Sequence, residues 1–95
     1  MEGDSKEIAL YQRIDEVIHY RWDPIGVAAV PEARDEYYSY LPKLLELLKN
    51  ESSANDIADY LGWITSVRMG LGKNRVRDMD IAETLIRWKA NLLAN

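Results

Sequence analysis

Apolar residues recur at helical spacing in four stretches of this 95-residue chain, and no useful length alternates with the period of two typical of a strand. Residues that interrupt helices separate the stretches, among them Pro24, Pro31 and Gly70. The pattern predicts one all-α domain over residues 1–95. We expect either a compact four-helix bundle or an irregular helical array with short links.

Breaking and capping residues predict where the four helices lie. We expect them over about 5–21, from near 39 to the segment 50–53, over about 55–69, and from near 78 onward. The expected caps are Asp4 for the first helix, Ser39 for the second, Ser52 or Ser53 for the third and Asp78 for the last. Their apolar faces should be Ile8, Tyr11, Ile14, Val17 and Ile18; Leu41, Leu44, Leu45 and Leu48; Ile57, Tyr60, Leu61, Ile64 and Val67; and Ile81, Leu85, Trp88 and Leu92.

Three residues around the third helix carry particular expectations. Gly62 lies in mid-helix at a cost of about 1 kcal/mol relative to Ala, which suggests a close approach by another backbone. Gly70 follows Met69 and is expected to take the left-handed conformation that ends many helices. Trp63 lies at the edge of the apolar face, and an exposed aromatic there would suit self-association, so homo-oligomer formation stays open.

Composition excludes several classes of site. The chain has no cysteine, so disulfides and thiolate metal sites are excluded. A net charge of −4 argues against a nucleic-acid partner, since such domains usually carry a basic surface. No apolar run approaches the roughly 20 residues that span a bilayer, and the N-terminus lacks a signal-peptide pattern. We expect a cytoplasmic protein without a membrane partner.

The connection between the first two helices is apolar but cannot form a long helix. It reads Trp-Asp-Pro-Ile-Gly-Val-Ala-Ala-Val-Pro over residues 22–31. One interpretation is structural, with Asp23 setting a turn and accepting backbone N–H groups while Ile25 and Val27 fill the core. The other is a binding loop held on a rigid scaffold. The sequence leaves both open.

Several short segments carry a family resemblance. They are Trp22-Asp23-Pro24-Ile25-Gly26-Val27, Asp35-Glu36-Tyr37, Tyr40-Leu41-Pro42, Asp59-Tyr60-Leu61 and Met69-Gly70-Leu71. In this order, and over nearly the whole chain, they resemble the DUF1871 or YugE-like family of small bacterial helical proteins of unknown function. That family usually has an acidic residue after Asp-Glu-Tyr, where this chain has Tyr38. The resemblance implies a helical fold and a bacterial cytosolic setting, with no established substrate, cofactor or catalytic residue.

The first functional hypothesis is a protein-interaction module that binds another protein through a tyrosine-rich, acidic face. Tyrosine and tryptophan lead the residues that dominate protein interfaces. The expected partner-binding residues are Trp22, Asp23, Asp35, Glu36, Tyr37, Tyr38 and Tyr40. A toxin-neutralising immunity protein is one variant, and it rests only on analogy with other small acidic helical proteins.

The alternative hypothesis is a regulator that binds a ligand, a metal or a nucleic acid. In the loop over 68–77, Arg68, Lys73, Arg75 and Arg77 are candidate anion-binding residues, although such a loop is commonly just solvated. Asp15, His19 and Asp23 are spaced by four on one side of the first helix. Pro24 places Asp23 beyond the helix end, so we assign no metal ligand.

Enzyme chemistry has little support in the sequence. The chain offers no thiol, and its single histidine has no serine at an informative position. Chains this small rarely form a pocket of several hundred Å³. We expect a protein that is not an enzyme, and we assign no catalytic residue and no cofactor.

Overall fold

The structure, a computed structural model, describes residues 2–23 and 35–93, with side chains over 5–23 and 37–92. Every regular element in these ranges is helical, which confirms the predicted all-α class. Of the apolar connection predicted over 22–31, only Trp22 and Asp23 belong to the described residues. None of the helices in the described ranges combines the length and the apolar character needed to cross a membrane.

Five α-helices make up the described chain, and two of them continue into a π-helical turn. The helices are α1 (Glu2–Val17), α2 (Asp35–Tyr38), α3 (Leu41–Lys49), α4 (Ala54–Trp63) and α5 (Arg75–Leu93). The first π turn, Ile18–Trp22, extends α1, and the second, Ile64–Arg68, extends α4. A π turn bonds residue i to i+5 and therefore changes the direction of the side chains after it.

Of the two caps predicted for α4, Ser52 and Ser53, the structure uses Ser53. Its hydroxyl accepts the Asp56 backbone N–H at 3.2 Å, and the Asp56 carboxylate accepts the Ser53 N–H at 3.4 Å. These two reciprocal hydrogen bonds satisfy two backbone N–H groups that have no acceptor within the helix. The caps expected at Asp4 and Ser39 are wrong, because α1 already begins at Glu2 and Tyr40 precedes α3 without a side-chain cap.

The expected start of the last helix is also wrong. The Asn74 side-chain oxygen accepts the Arg77 backbone N–H at 3.0 Å, so α5 begins at Arg75, three residues before Asp78. Asp78 then bonds through its own N–H to the Asn74 carbonyl at 2.9 Å. The loop expected over 70–77 ends at 74, and Asp78 lies inside the helix.

The core forms where α5 packs against α1 and α4, and α3 packs against both α1 and α5. Its buried apolar residues are Leu10, Ile14, Val17, Ile18, Trp22, Tyr37, Leu41, Leu44, Leu48, Ile57, Ala58, Leu61, Ile64, Ile81, Ala82 and Leu85. Two expected core residues are exposed, Ile8 by 59% and Val67 by 64%. Val67 follows the start of the second π turn, where the changed phase buries Thr65 instead.

Gly70 ends the second π turn with a backbone φ of +69°, which confirms its predicted left-handed conformation. The Met69 N–H bonds back to the Ile64 carbonyl at 2.9 Å. Left-handed backbone is disfavoured for residues with a Cβ, so this position favours glycine.

We predict that Gly70→Ala lowers the free energy of unfolding by about 1 kcal/mol, because the new Cβ makes the left-handed conformation unfavourable. No heavy atom lies within 4 Å of that Cβ position, so the effect is conformational and not steric. Gly72→Ala is the matched control, since Gly72 is equally open but has no positive φ. Urea unfolding measures both variants, and equal stabilities would contradict the prediction.

Candidate functional site

A buried carboxylate connects the start of α5 to the end of α1. Asp78 is only 1% exposed, and its Oδ1 accepts the Trp22 indole N–H at 2.9 Å. The Arg77 Nε lies 4.0 Å from the same oxygen, beyond hydrogen-bond distance. The second oxygen, Oδ2, has no hydrogen-bond partner in the part of the chain that the structure describes. Oδ2 can therefore accept a hydrogen bond from a donor that is not part of the described chain.

The first π turn brings Trp22 to this carboxylate. It ends at Asp23, whose φ of 31° is left-handed and whose N–H bonds to the Ile18 carbonyl at 2.9 Å. The Trp22 side chain is buried against the start of α5. Because a π turn contains an extra residue, its side chains point in directions that a continuing α-helix would not give them.

An aromatic cluster, formed by His19, Trp22, Tyr37 and Tyr38, holds α2 against the end of α1. The Tyr37 ring lies 5.1 Å from His19 and 5.9 Å from Trp22, between ring centres. The Tyr37 hydroxyl donates to Asp23 Oδ1 at 2.7 Å. These contacts give Tyr37 and Asp23 a structural role at the junction of α1 and α2.

Two residues of the predicted partner-binding face are buried. Trp22 and Tyr37 are core residues, so neither side chain is presented at the surface of this structure. Tyr38 remains 42% exposed, while Tyr40 packs partly against the core. The Asp23 carboxylate accepts the Tyr37 hydroxyl. The side chains of Asp35 and Glu36 lie outside the described residues.

His19 is buried and bonded to its own helix. Its Nδ1 lies 2.9 Å from the Asp15 carbonyl oxygen and 2.7 Å from Asp15 Oδ1, so this nitrogen donates. Asp23, the third residue of the predicted group, bonds to Tyr37 instead. Across the described ranges, no three His, Asp or Glu side chains come close enough to hold a metal ion.

A cavity of about 220 Å³ lies where α4, its π turn and the start of α5 meet. We call it the Asp78 pocket. Gly62, Asp78 and Ala58 form the part nearest the core, and Trp63 and Val67 form an apolar wall. Lys73 and Arg75 bring positive charge to its edge. The pocket therefore combines a buried carboxylate, an aromatic surface and cations in a small volume.

Because Gly62 has no side chain, there is open space at the bottom of this pocket. A Cβ at Gly62 would lie 3.6 Å from Asp78 Oδ2 and 3.7 Å from the Lys73 Cδ. The expected close approach by another backbone is therefore wrong, because the neighbours are two side chains at ordinary van der Waals distances. The Gly62 carbonyl accepts the Ser66 hydroxyl at 2.7 Å and the Thr65 hydroxyl at 3.2 Å, which satisfies both hydroxyls within the helix.

Trp63 forms the aromatic wall and is 43% exposed, as the sequence predicts for the edge of its helix. Its ring stacks on Tyr60 with 5.8 Å between centres and 15° between planes. Burial raises the pKa of the Tyr60 phenol, Tyr40 raises this pKa further, and Arg68 opposes both. The stack is therefore uncharged near neutral pH and offers an apolar surface.

The two cationic side chains at the edge of the pocket, Lys73 and Arg75, differ in whether they already form ion pairs. Arg75 donates to Asp59 Oδ1 at 2.6 Å and to Asn55 Oδ1 at 2.9 Å. Lys73 is exposed and has no ion pair within the described chain. Of the four predicted anion-binding residues, the structure brings Lys73 and Arg75 to the pocket. Arg68 and Arg77 lie outside its lining.

Asp78 is the site residue that sequence reasoning missed. In the sequence it resembles a helix cap, and nothing in the chain around it predicts burial of its carboxylate. The one sequence feature that pointed to this region was Gly62, because a glycine in mid-helix predicted that another part of the chain approaches it closely. No protein-family model, curated protein or solved structure matches this chain, so the site is argued from its geometry.

We predict that Trp22→Phe lowers the free energy of unfolding by about 2 kcal/mol or more, because it leaves the buried Asp78 carboxylate without its indole donor. Trp63→Phe is the control. That ring is exposed, it makes no hydrogen bond among the described residues, and Phe can still stack on Tyr60, so we expect a change within about 0.5 kcal/mol. Urea unfolding of both variants is the measurement. Similar losses in the two would show that the indole hydrogen bond contributes little.

Proposed function

We propose that this chain is a binding protein that holds a small polar ligand in the Asp78 pocket. The observation that carries the proposal is the second oxygen of Asp78, which accepts no hydrogen bond from the described residues and belongs to a largely buried side chain that lines the cavity. Hydrogen bonds to charged groups contribute about 1.5–3 kcal/mol. A ligand that donates to Oδ2 would gain such a bond to the Asp78 carboxylate.

The size and lining of the pocket support a small ligand. Its volume of about 220 Å³ lies below the roughly 300–1,000 Å³ of pockets that bind drug-sized molecules. An apolar surface with a few placed polar groups is typical of such sites. Trp63 and Val67 supply the apolar surface here, and Asp78 supplies a fixed polar group.

This proposal develops the ligand-binding alternative that the loop over 68–77 suggested in the sequence. It assigns binding, with no catalytic residue and no cofactor. Membership of the DUF1871 or YugE-like family is a further proposal that rests on the sequence resemblance alone. That family has no established ligand, so the resemblance does not help to choose one.

We predict that compounds which raise the melting temperature of the wild-type protein will have little effect on Gly62→Ala. The test is a thermal-shift screen of small amines, amides, carboxylates, phosphates and amino acids. The new methyl group would occupy the bottom of the pocket, at ordinary contact distances from Asp78 and Lys73. The same substitution should preserve or increase stability, by up to about 1 kcal/mol, because alanine favours the helix.

Two further variants test whether the response depends on the Asp78 acceptor and on the pocket. Asp78→Asn keeps an acceptor for the Trp22 indole but can replace the Oδ2 acceptor with a donor, so it should also lose the response. Gly72→Ala should keep it, since no atom lies within 4 Å of its Cβ position. Compounds that stabilise Gly62→Ala as strongly as wild type, or a screen without any active compound, would count against the pocket.

Protein interaction through the predicted tyrosine face is a second candidate function. Tyr38 favours it, since this aromatic ring stays exposed while its edge contacts His19 at 5.5 Å between ring centres. Such a rigid, partly supported aromatic is typical of interface contacts. With a net charge of −4, the chain would favour a basic protein partner.

For this second function we predict that tagged protein captures one stoichiometric basic protein from a bacterial lysate and that Tyr38→Ala loses it. Trp63→Ala, an exposed aromatic on α4, is the control and should retain the partner. Circular dichroism confirms that both variants are folded. Capture that survives Tyr38→Ala, or no stoichiometric partner at all, would reject this face as the binding surface.

A further inference from the structure

We infer that the ligand of the Asp78 pocket carries two opposite charges: a protonated amine that donates to Asp78 Oδ2, and an anionic group that pairs with Lys73. This inference rests on the proposed binding function and adds the chemical class of the ligand. A short ω-amino acid, with an ammonium at one end and a carboxylate at the other, is the simplest member of that class.

The buried end of the pocket selects a cation. Among the described residues, the Asp78 carboxylate accepts one side-chain hydrogen bond, from a neutral indole, and its one ion pair, with Arg77 Nε, is long at 4.0 Å. No cationic donor in the described chain therefore reaches Asp78 within hydrogen-bond distance. An ammonium group at Oδ2 would form a charge-assisted bond, about twice as strong as one from a neutral donor. A ligand anion there would meet like charge in a buried setting.

The Lys73 side of the pocket selects an anion. Lys73 runs beside Gly62, with Cδ and Cε 3.7 and 3.8 Å from the point where a Cβ would lie, and Asp78 Oδ2 is 3.6 Å from that same point. Its ammonium forms no ion pair with any described residue. Arg75 is already held by Asp59 and Asn55, so Lys73 is the cation available to a ligand.

The rest of the lining is mixed. Ala58, Gly62, Trp63 and Val67 supply apolar surface, while Ser66 and Asp59 are polar, with Asp59 paired to Arg75. A short hydrocarbon segment fits the apolar part, with the charges at its two ends. A plain amine would leave its own cation near an unpaired Lys73, and a plain carboxylate would leave Asp78 without a donor.

Isothermal titration calorimetry at low salt tests the charge assignment. The probes are unbranched ω-amino acids of two to six carbons, with the n-alkylamine and the n-alkanoate of each length as matched compounds. We expect at least one amino acid to bind roughly tenfold or more tightly than both of its matched compounds, the factor that one charge-assisted contact supplies.

Two variants assign the charges to residues. Lys73→Met keeps an unbranched stem and removes the charge, so it should weaken amino acid binding by roughly tenfold and leave the matched amine unchanged or tighter. Gly72→Ala, adjacent in the chain and without neighbours, should leave every affinity unchanged. Circular dichroism and melting curves establish that each variant is folded.

The outcomes separate this inference from the proposed function. If an amine or an alkanoate alone binds as tightly as the amino acid, and Gly62→Ala removes that binding, the pocket stands and the two-charge ligand is wrong. If no probe of the series binds, the two-charge ligand is again wrong, and the wider thermal-shift screen decides the pocket. If amino acids bind Gly62→Ala as well as wild type, both proposals fail.

Discussion

The hydrogen bond from the Trp22 indole to the Asp78 carboxylate is the contact on which the rest of this structure depends. It joins residues 56 positions apart and holds the end of α1 against the first turn of α5. A buried carboxylate needs donors, and the indole supplies one without bringing a charge. Since only Oδ1 is used, the same contact that fixes two helices leaves Oδ2 facing the pocket. The residue that stabilises the fold is therefore also the residue that makes the site.

Two π turns make this arrangement possible, and each lies beside the site. The first, Ile18–Trp22, directs Trp22 into the core, and the second, Ile64–Arg68, turns Val67 outward and Thr65 inward. π turns are rare and occur frequently at functional sites, since the extra residue weakens regular helical packing. A backbone hydrogen bond closes each turn, from the Asp23 N–H to the Ile18 carbonyl and from the Met69 N–H to the Ile64 carbonyl.

Much of the fold could be predicted because it depends on local rules. The helical spacing of apolar residues predicted the helices. Ser52 and Ser53 were predicted as alternative caps, and Ser53 is the one used. The left-handed conformation of Gly70 was predicted from its position just after a helix. The errors have different physical origins. Val67 was assigned by assuming a regular helix, and the π turn changed its phase, while Asp78 was assigned as a cap and the Asn74 cap moved the boundary. Ile8 was assigned to the core face of α1, but it lies away from the buried residues Leu10, Ile14 and Val17 on that helix.

The sequence by itself determined that this chain is helical, that it contains no thiolate chemistry, and which apolar residues are available for a core. Only the tertiary structure decided that Asp78 is buried, that Tyr37 is a core residue and not a surface contact, and that Gly62 opens a pocket between Asp78 and Lys73. The physical reason is the range of the interactions. Periodicity and capping act within a few residues, whereas the environment of a side chain depends on which distant helix packs against it.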